Sequence, residues 1–317
     1  MEKININYSG EDTGLIVPPI FAQNTLAQRA NFRVIQGRGS TMNFHDLDMG
    51  AKFKAQECRQ TPTDESKLTQ RIVNLCKLEM VGEMCHSELN QTFLELQYQA
   101  GQLNRKMNTV ADVYQAILEL IRRRAVVQLN AILLRGQKDY TPASGEEELE
   151  LCDGLLIKLQ EAIGDGGVRH VNAVPNDPTN VLAEMLKVHA ALPSHVKYNT
   201  PAEAGDTVMM IDPKTADSFI GAMAVNNVTW APNHNPNSRV LMQWLGMNIV
   251  VFNELPDYTM IATNPQNIAV FYDLSNDITQ VKVIDNSATS INDTWSYKLR
   301  VAAAIDYLRA NDIVLYS

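Results

Sequence analysis

The chain has 317 residues, 45% of them hydrophobic and 20% charged, enough for two modest cores or one large core with extensions, which excludes a wholly disordered protein. Its formal net charge of −9 argues against sequence-specific or general nucleic-acid binding, because phosphate contacts need clustered Lys and Arg. No run of about 18 apolar residues occurs, and Met1-Glu2-Lys3-Ile4-Asn5 lacks a basic region followed by an apolar core, so no membrane partner is expected and a soluble, cytoplasmically made product is.

Residues 1 to about 35 show no sustained period, and Gly14, Pro18 and Pro19 interrupt isolated apolar groups. The proline pair favours extended backbone, which predicts an arm lying across something else. From Ser40 to Cys85 the pattern is that of strands: Ala51 to Gln56 alternates, and Arg71 to Val81 alternates with Cys76, Leu78 and Met80 on one side and Lys77 and Glu79 on the other. Two strands alone are marginal in water, so a long hairpin here needs support from elsewhere in the chain or from a neighbour.

Helices follow. Ser87 caps a first, with Leu89, Phe93, Leu96, Ala100 and Leu103 at helical spacing. Asn108 can cap and Gly136 can stop a second, whose apolar stripe is Val110, Val113, Ile117, Leu120, Ile121 and Val127. At about 1.5 Å per residue it is a rod of roughly 40 Å, a suitable spine for a thin domain. The run Arg122-Arg123-Arg124 within it reads as a solvated or inter-subunit face. Ser144 with Glu147 forms a capping box for a third helix carrying Leu149, Cys152, Leu156, Leu159 and Ile163 on one face, ended by Gly164, Gly166 and Gly167.

Asp177-Pro178 and Asp212-Pro213 open two further helices around the continuous apolar strand Thr207 to Ile211, an α+β unit of its own with that strand central. The chain then runs to its end as short strands: 247–252, 260–263, 268–272, 279–284, 295–305 and 313–316. Turn residues such as Asn264-Pro265-Gln266-Asn267 punctuate them.

This last third resembles the carboxy-terminal region of tailed-bacteriophage major capsid proteins, the Hong Kong ninety-seven fold. The likeness lies in the order of a Gly246-x-x-Ile249-Val250-Val251 strand, the turn and strand ATNPQNIAVFYD, the strand VKVID and the closing WSYKLRVAAAIDYLRANDIVLY. The earlier parts follow the same order, with LNAILLRG at Leu129 to Gly136 as a further phrase. The resemblance implies an α+β phage capsid fold: an N-terminal arm at 1–35, an extended β-hairpin loop at 36–86, a peripheral domain at 87–175 and 262–317 with its spine helix at 108–135, and an axial domain at 176–261. It implies a shell subunit assembling as pentamers and hexamers in a virion, with neighbouring capsid subunits, a portal and scaffold or decoration proteins as partners. Pro18, Pro19, Phe21, Phe53 and Met80 are then candidate inter-subunit contacts. Many such proteins carry a helical scaffolding segment before the arm that is cut off on maturation; no charged helical pattern is read before the arm in this sequence, so the expectation is either a separate scaffold protein or an already mature form.

The residues point away from chemistry. No phosphate-binding Gly-rich signature with Lys occurs, and Gly164-Asp165-Gly166-Gly167 follows a helix instead of linking a strand to one. Cys85-His86 is the most catalytic-looking pair, yet neighbours on a strand point to opposite faces and no third group orients them. The six histidines are scattered without a metal-ligand spacing, and His45 with Asp46 and Asp48 reads as a solvated turn. Cys58, Cys76, Cys85 and Cys152 are too few and scattered for a secreted disulfide framework and read as buried free thiols. Lys52 and Lys54 lie where some capsids donate a crosslinking lysine, but nothing local activates either. No cofactor and no enzymatic activity are expected. The alternatives are an encapsulin-like compartment shell of bacteria and, in another class, an enzyme built on Cys85 and His86.

Overall fold

Strict alternation along two strands near the C-terminus organises most of the molecule. The computed structural model describes residues 5–9, 26–48, 67–85, 110–138, 141, 146–197, 207–225, 240–273, 280–286 and 294–317. Strand β1 (Asn5–Ser9) is followed by a short helix α1 (Leu26–Ala30), β2 (Arg33–Gly37), β3 (Thr41–Asp48), β4 (Lys67–Asn74) and β5 (Cys76–Cys85). The long helix α2 (Val110–Arg135), α3 (Leu155–Gly164), β6 (Arg169–Val171), α4 (Val181–Ala191), α5 (Ser194–Lys197), β7 (Val208–Ile211) and α6 (Pro213–Val225) come next. The strands β8 (Val240–Trp244), β9 (Met247–Val251), β10 (Met260–Thr263), β11 (Ile268–Asp273), β12 (Gln280–Asp285), β13 (Thr294–Tyr307) and β14 (Val314–Tyr316) complete it.

One sheet has the order β1-β12-β13-β11-β2, with β5 also on β13. Along it, Val270, Tyr272, Val301, Ala303, Ile305 and Tyr307 face the core shared with α2 and α3, while Ala269, Phe271, Ala302 and Ala304 face a second cluster. Both faces are buried, so β11 and β13 read as near-continuous apolar runs. The other sheet has the order β6-β14-β10-β7-β9-β8. Met209, Ile211, Ile249 and Met260 pack under α4 and α6, and Met210, Val250, Ile261 and Leu315 point into the main core. The turn between β8 and β9 is two residues, Leu245 and Gly246, both at positive φ (48° and 78°), the geometry a tight hairpin requires.

Expectation and structure agree closely where period and caps are strong. β7 is central, between β10 and β9, and fully buried. Asp177 accepts from the backbone N–H groups of Thr179 and Asn180 ahead of α4, and Asp212 accepts from Thr215 N at the start of α6. Those N–H bonds hold the Asp177 carboxyl below the usual range, with Thr179 Oγ1 adding the largest contribution. Gly136 does end α2, and Gly166 (φ 71°) ends α3 through Gly167 N donating to Ala162 O.

Several readings are corrected. Residues 26–35, expected at the end of an arm, belong to the body: Leu26, Ala27 and Ala30 are core residues, and β2, which runs on to Gly37, pairs in parallel with β11. β1 pairs with the chain's own β12. The expected third helix is two pieces, a 3-10 turn at Glu147–Leu151 and then α3, because Cys152 is extended (φ −153°, ψ 153°) where the chain tucks under the end of α2. Val127 is 59% exposed; the buried stripe of α2 runs through Ile121, Ala125, Leu129, Ile132 and Leu133. β14, which the resemblance groups with the peripheral domain, pairs with β10 in the sheet built around β7, where the Tyr316 hydroxyl receives Val174 N–H and reaches Asn176 and Glu184. His45 sits in β3, not in a turn. The cysteines are not all buried free thiols: Cys76 and Cys152 are joined in a disulfide and Cys85 is exposed. The helix expected from Ser87 and the strand expected at 51–56 lie outside the described residues.

Candidate assembly site at the hairpin root

β3 and β4 pair antiparallel from Thr41 opposite Asn74 to Asp48 opposite Lys67. Their alternation sends Met42, Phe44 and Val73 to one side, with Leu75 beyond, and leaves Ile72 on the other, 65% exposed. The buried side lies on Ala269, Phe271, Ala302 and Ala304, the second face of the first sheet. Support for the two strands therefore comes from their own chain. Phe44 meets Phe271 edge to face, centroids 5.5 Å apart, and the Arg33 guanidinium lies 5.7 Å from the Phe44 ring. Leu75 N donates to Ser40 O at 2.9 Å, closing the root.

A buried carboxylate fixes the same root electrostatically. Asp306, the residue before the last in β13, has a side chain only 6% exposed, and an isolated charge there is costly. Arg71 of β4 pairs with it at 3.1 Å and stacks 4.2 Å over the Tyr307 ring. Lys158 of α3 lies 3.8 Å from the other carboxylate oxygen and donates to Ile305 O at 2.6 Å, and Tyr307 N donates to Asp306 Oδ1 at 2.8 Å. One carboxylate thus ties hairpin, sheet and helix together. Burial works against the Arg71 charge, but Asp306 and Tyr307 outweigh it and raise its proton affinity above the ordinary value. For Lys158 burial wins: its pKa is lowered, with Asp306 pulling up and Arg71 pushing further down.

Of the candidate contacts, Pro18, Pro19, Phe21 and Phe53 lie outside the described residues, as do Cys58, His86, Lys52 and Lys54. Met80 is described: it points inward from β5 and lines a cleft of about 270 Å³ whose other walls are Ala125, Leu129 and Ile132 of α2 and Leu151. Arg123 and Arg124 are exposed, and Arg122 and Arg123 line a smaller groove with Arg29, which is paired to Glu254 at 3.2 Å. Among the described residues no three His, Cys, Asp or Glu side chains are grouped to hold a metal ion, and no helix is long and apolar enough to cross a membrane. Sequence reasoning missed Arg71, Lys158 and Asp306. The signal was present: a carboxylate inside Ala302-Ala303-Ala304-Ile305-Asp306-Tyr307 demands a cationic partner.

Comparison with solved structures decides what this architecture is. It is similar to the satellite phage P4 procapsid that includes the size-determination protein (TM-score 0.59, 12% identity, 96% of this chain and 98% of that one). It is also similar to the cyanophage A-1(L) capsid (0.57, 11%, 93% and 94%) and to the capsid of an empty GTA particle (0.55, 13%, 93% and 90%). The chain has the phage capsid fold. No protein-family model matches the sequence, and no curated protein matches it. In this chain the hairpin root is cemented by the Phe44–Phe271 contact and the Asp306 cluster, so β3 and β4 are aimed by the body they rest on.

Proposed function

We propose that this chain is the major capsid protein of a tailed bacterial virus, a structural subunit and not an enzyme, that closes into rings of five and six and then into an icosahedral shell around the genome. The observation that carries this reading is the agreement in fold over nearly the whole length of both chains at 96% and 98% coverage. Each subunit makes heterologous contacts with the next, which close into rings. The β3–β4 hairpin is the extended loop, α2 the spine of a peripheral domain, and the unit around β7, with β6 and β14 added, the axial domain.

Neighbouring subunits are the first partners; portal, scaffold and decoration proteins are further ones, and assembly takes place in the host cytoplasm. Ile72 on β4 and Val81 on β5, 65% and 64% exposed, are apolar positions that a neighbour would cover. Met80, Pro18, Pro19, Phe21 and Phe53 remain proposed contacts. The compartment-shell reading stands second, because each structure just compared is described as a capsid or procapsid. Negative-stain microscopy and sedimentation test the proposal: particles of tens of nanometres holding DNA are expected. A discrete small oligomer would refute the shell, and particles filled with a cargo enzyme would refute the virus.

A further inference from the structure

We propose that Cys76 and Cys152 form a redox-gated staple that is open while thiols are kept reduced and closes when the subunit meets an oxidising medium. The two residues are 76 positions apart with Cα atoms 6.1 Å from each other, inside the range a disulfide spans without moving the backbone. Cys76 opens β5 at the point where the long strand leaves the hairpin root. Cys152 follows the 3-10 turn that is tied to the end of α2 by Gln137 N donating to Leu149 O and Gly154 N donating to Gly136 O. The cleft lined by Leu78 and Met80 on one wall and Leu129, Ile132 and Leu151 on the other runs beside the bridge. With the bridge closed, both walls are pinned where Cys76 and Cys152 meet. With it open, β5 keeps its ladder with β13, and among the described residues apolar contact across the cleft is what joins it to the helical layer.

Accessibility sets the order of closure. Cys76 is partly exposed and Cys152 is buried. The Cys76 thiolate attacks a low-molecular-weight disulfide such as oxidised glutathione, forming a mixed disulfide and releasing one glutathione thiolate. The Cys152 thiolate, its proton lost to water, then attacks the Cys76 sulfur and expels the second. Two protein thiols are oxidised and one glutathione disulfide is reduced to two thiols. The chemistry stands on the geometry alone; its timing, closure after release from a reducing cytoplasm, rests on the shell reading.

The full chain is purified with reductant, incubated with oxidised glutathione, alkylated and mapped by peptide mass spectrometry, whether or not particles form. A Cys76–Cys152 crosslink is expected, with reduction lowering Tm by roughly 5–10 °C and speeding amide exchange in 76–85 about tenfold or more. Cys76→Ser and Cys152→Ser should abolish the redox dependence of Tm, and Cys85→Ser should keep it. Alkylation of both thiols after oxidation, pairing of Cys76 with Cys58, Cys85 or another copy, or a wild-type Tm indifferent to reductant would overturn the proposal.

Discussion

Replacing Phe44 by alanine removes the ring that seats the hairpin on the first sheet, and the structure sets both the size and the place of the effect. Phe44 is 1% exposed, so its loss carries the transfer and cavity cost of a buried aromatic, about 3–5 kcal/mol. About 1 kcal/mol of that is the edge-to-face contact with Phe271, and a smaller part the Arg33 guanidinium over the ring. Phe44→Leu keeps most of the volume and should cost only about 1–2 kcal/mol. None of the residues in the core around β7 and β10 belongs to the cluster that holds Phe44, so the damage should be local. Hydrogen exchange read by mass spectrometry is the assay. Peptides covering 41–48 and 67–75 should exchange on the order of 100-fold faster or more in Phe44→Ala, while those covering 208–211 and 260–263 should hold their rates. Assembly should fail at concentrations where the subunit stays folded. Equal acceleration in the hairpin peptides and in those covering 208–211 and 260–263, or a cost below about 1 kcal/mol, would refute the idea that this ring anchors a separable hairpin.

The other expected outcomes concern the buried charges, the helix end and the first strand. Asp306→Ala strands two cations and should cost about 3–5 kcal/mol in urea unfolding, more than Arg71→Ala, whose guanidinium is partly solvated; the reverse order would show that Asp306 is not the hub. Lys158 binds its proton less tightly folded than unfolded, so its contribution grows with pH between its lowered folded value and the ordinary 10.5 and fades as pH falls through that window. The stability difference between wild type and Lys158→Met should therefore move in favour of wild type as pH is raised toward 10.5, and a flat difference would contradict the shift. A Cβ on Gly136 would run into the carbonyl oxygens of Cys152 and Ile132, so Gly136→Ala should lower stability by about 1–3 kcal/mol in the same unfolding assay, and an unchanged midpoint would contradict that crowding. Deleting residues 1–23 removes β1 and leaves β12 as an open edge; circular dichroism should report a folded chain and sedimentation a loss of particles.

Short-range features were legible because their causes are local. The Asp-Pro pairs before α4 and α6, the Gly136 stop and the alternation of Cys76, Leu78 and Met80 each follow from groups a few residues apart. The strands from β9 to β14 were readable for the same reason, turn chemistry separating apolar runs. α3 was misread because Leu149 and Cys152 keep helical spacing while the chain is drawn straight between them and Leu155 by contacts with the end of α2. At the candidate site the sequence exposed the hairpin and Met80, but not what the hairpin rests on.

By itself, then, the sequence determined the elements whose period and turn signals are strong, such as α2, β7 and the strands from β9 to β14, and an order of parts that resembles a capsid subunit. The tertiary structure alone decided that Phe44 meets Phe271, that Arg71 and Lys158 converge on Asp306, that Cys76 reaches Cys152 and that β14 crosses to the second sheet. Each of these joins residues dozens to hundreds of positions apart. Periodicity states that a face must be covered and a charge partnered, while the choice of cover and partner is made by the packing of the whole chain.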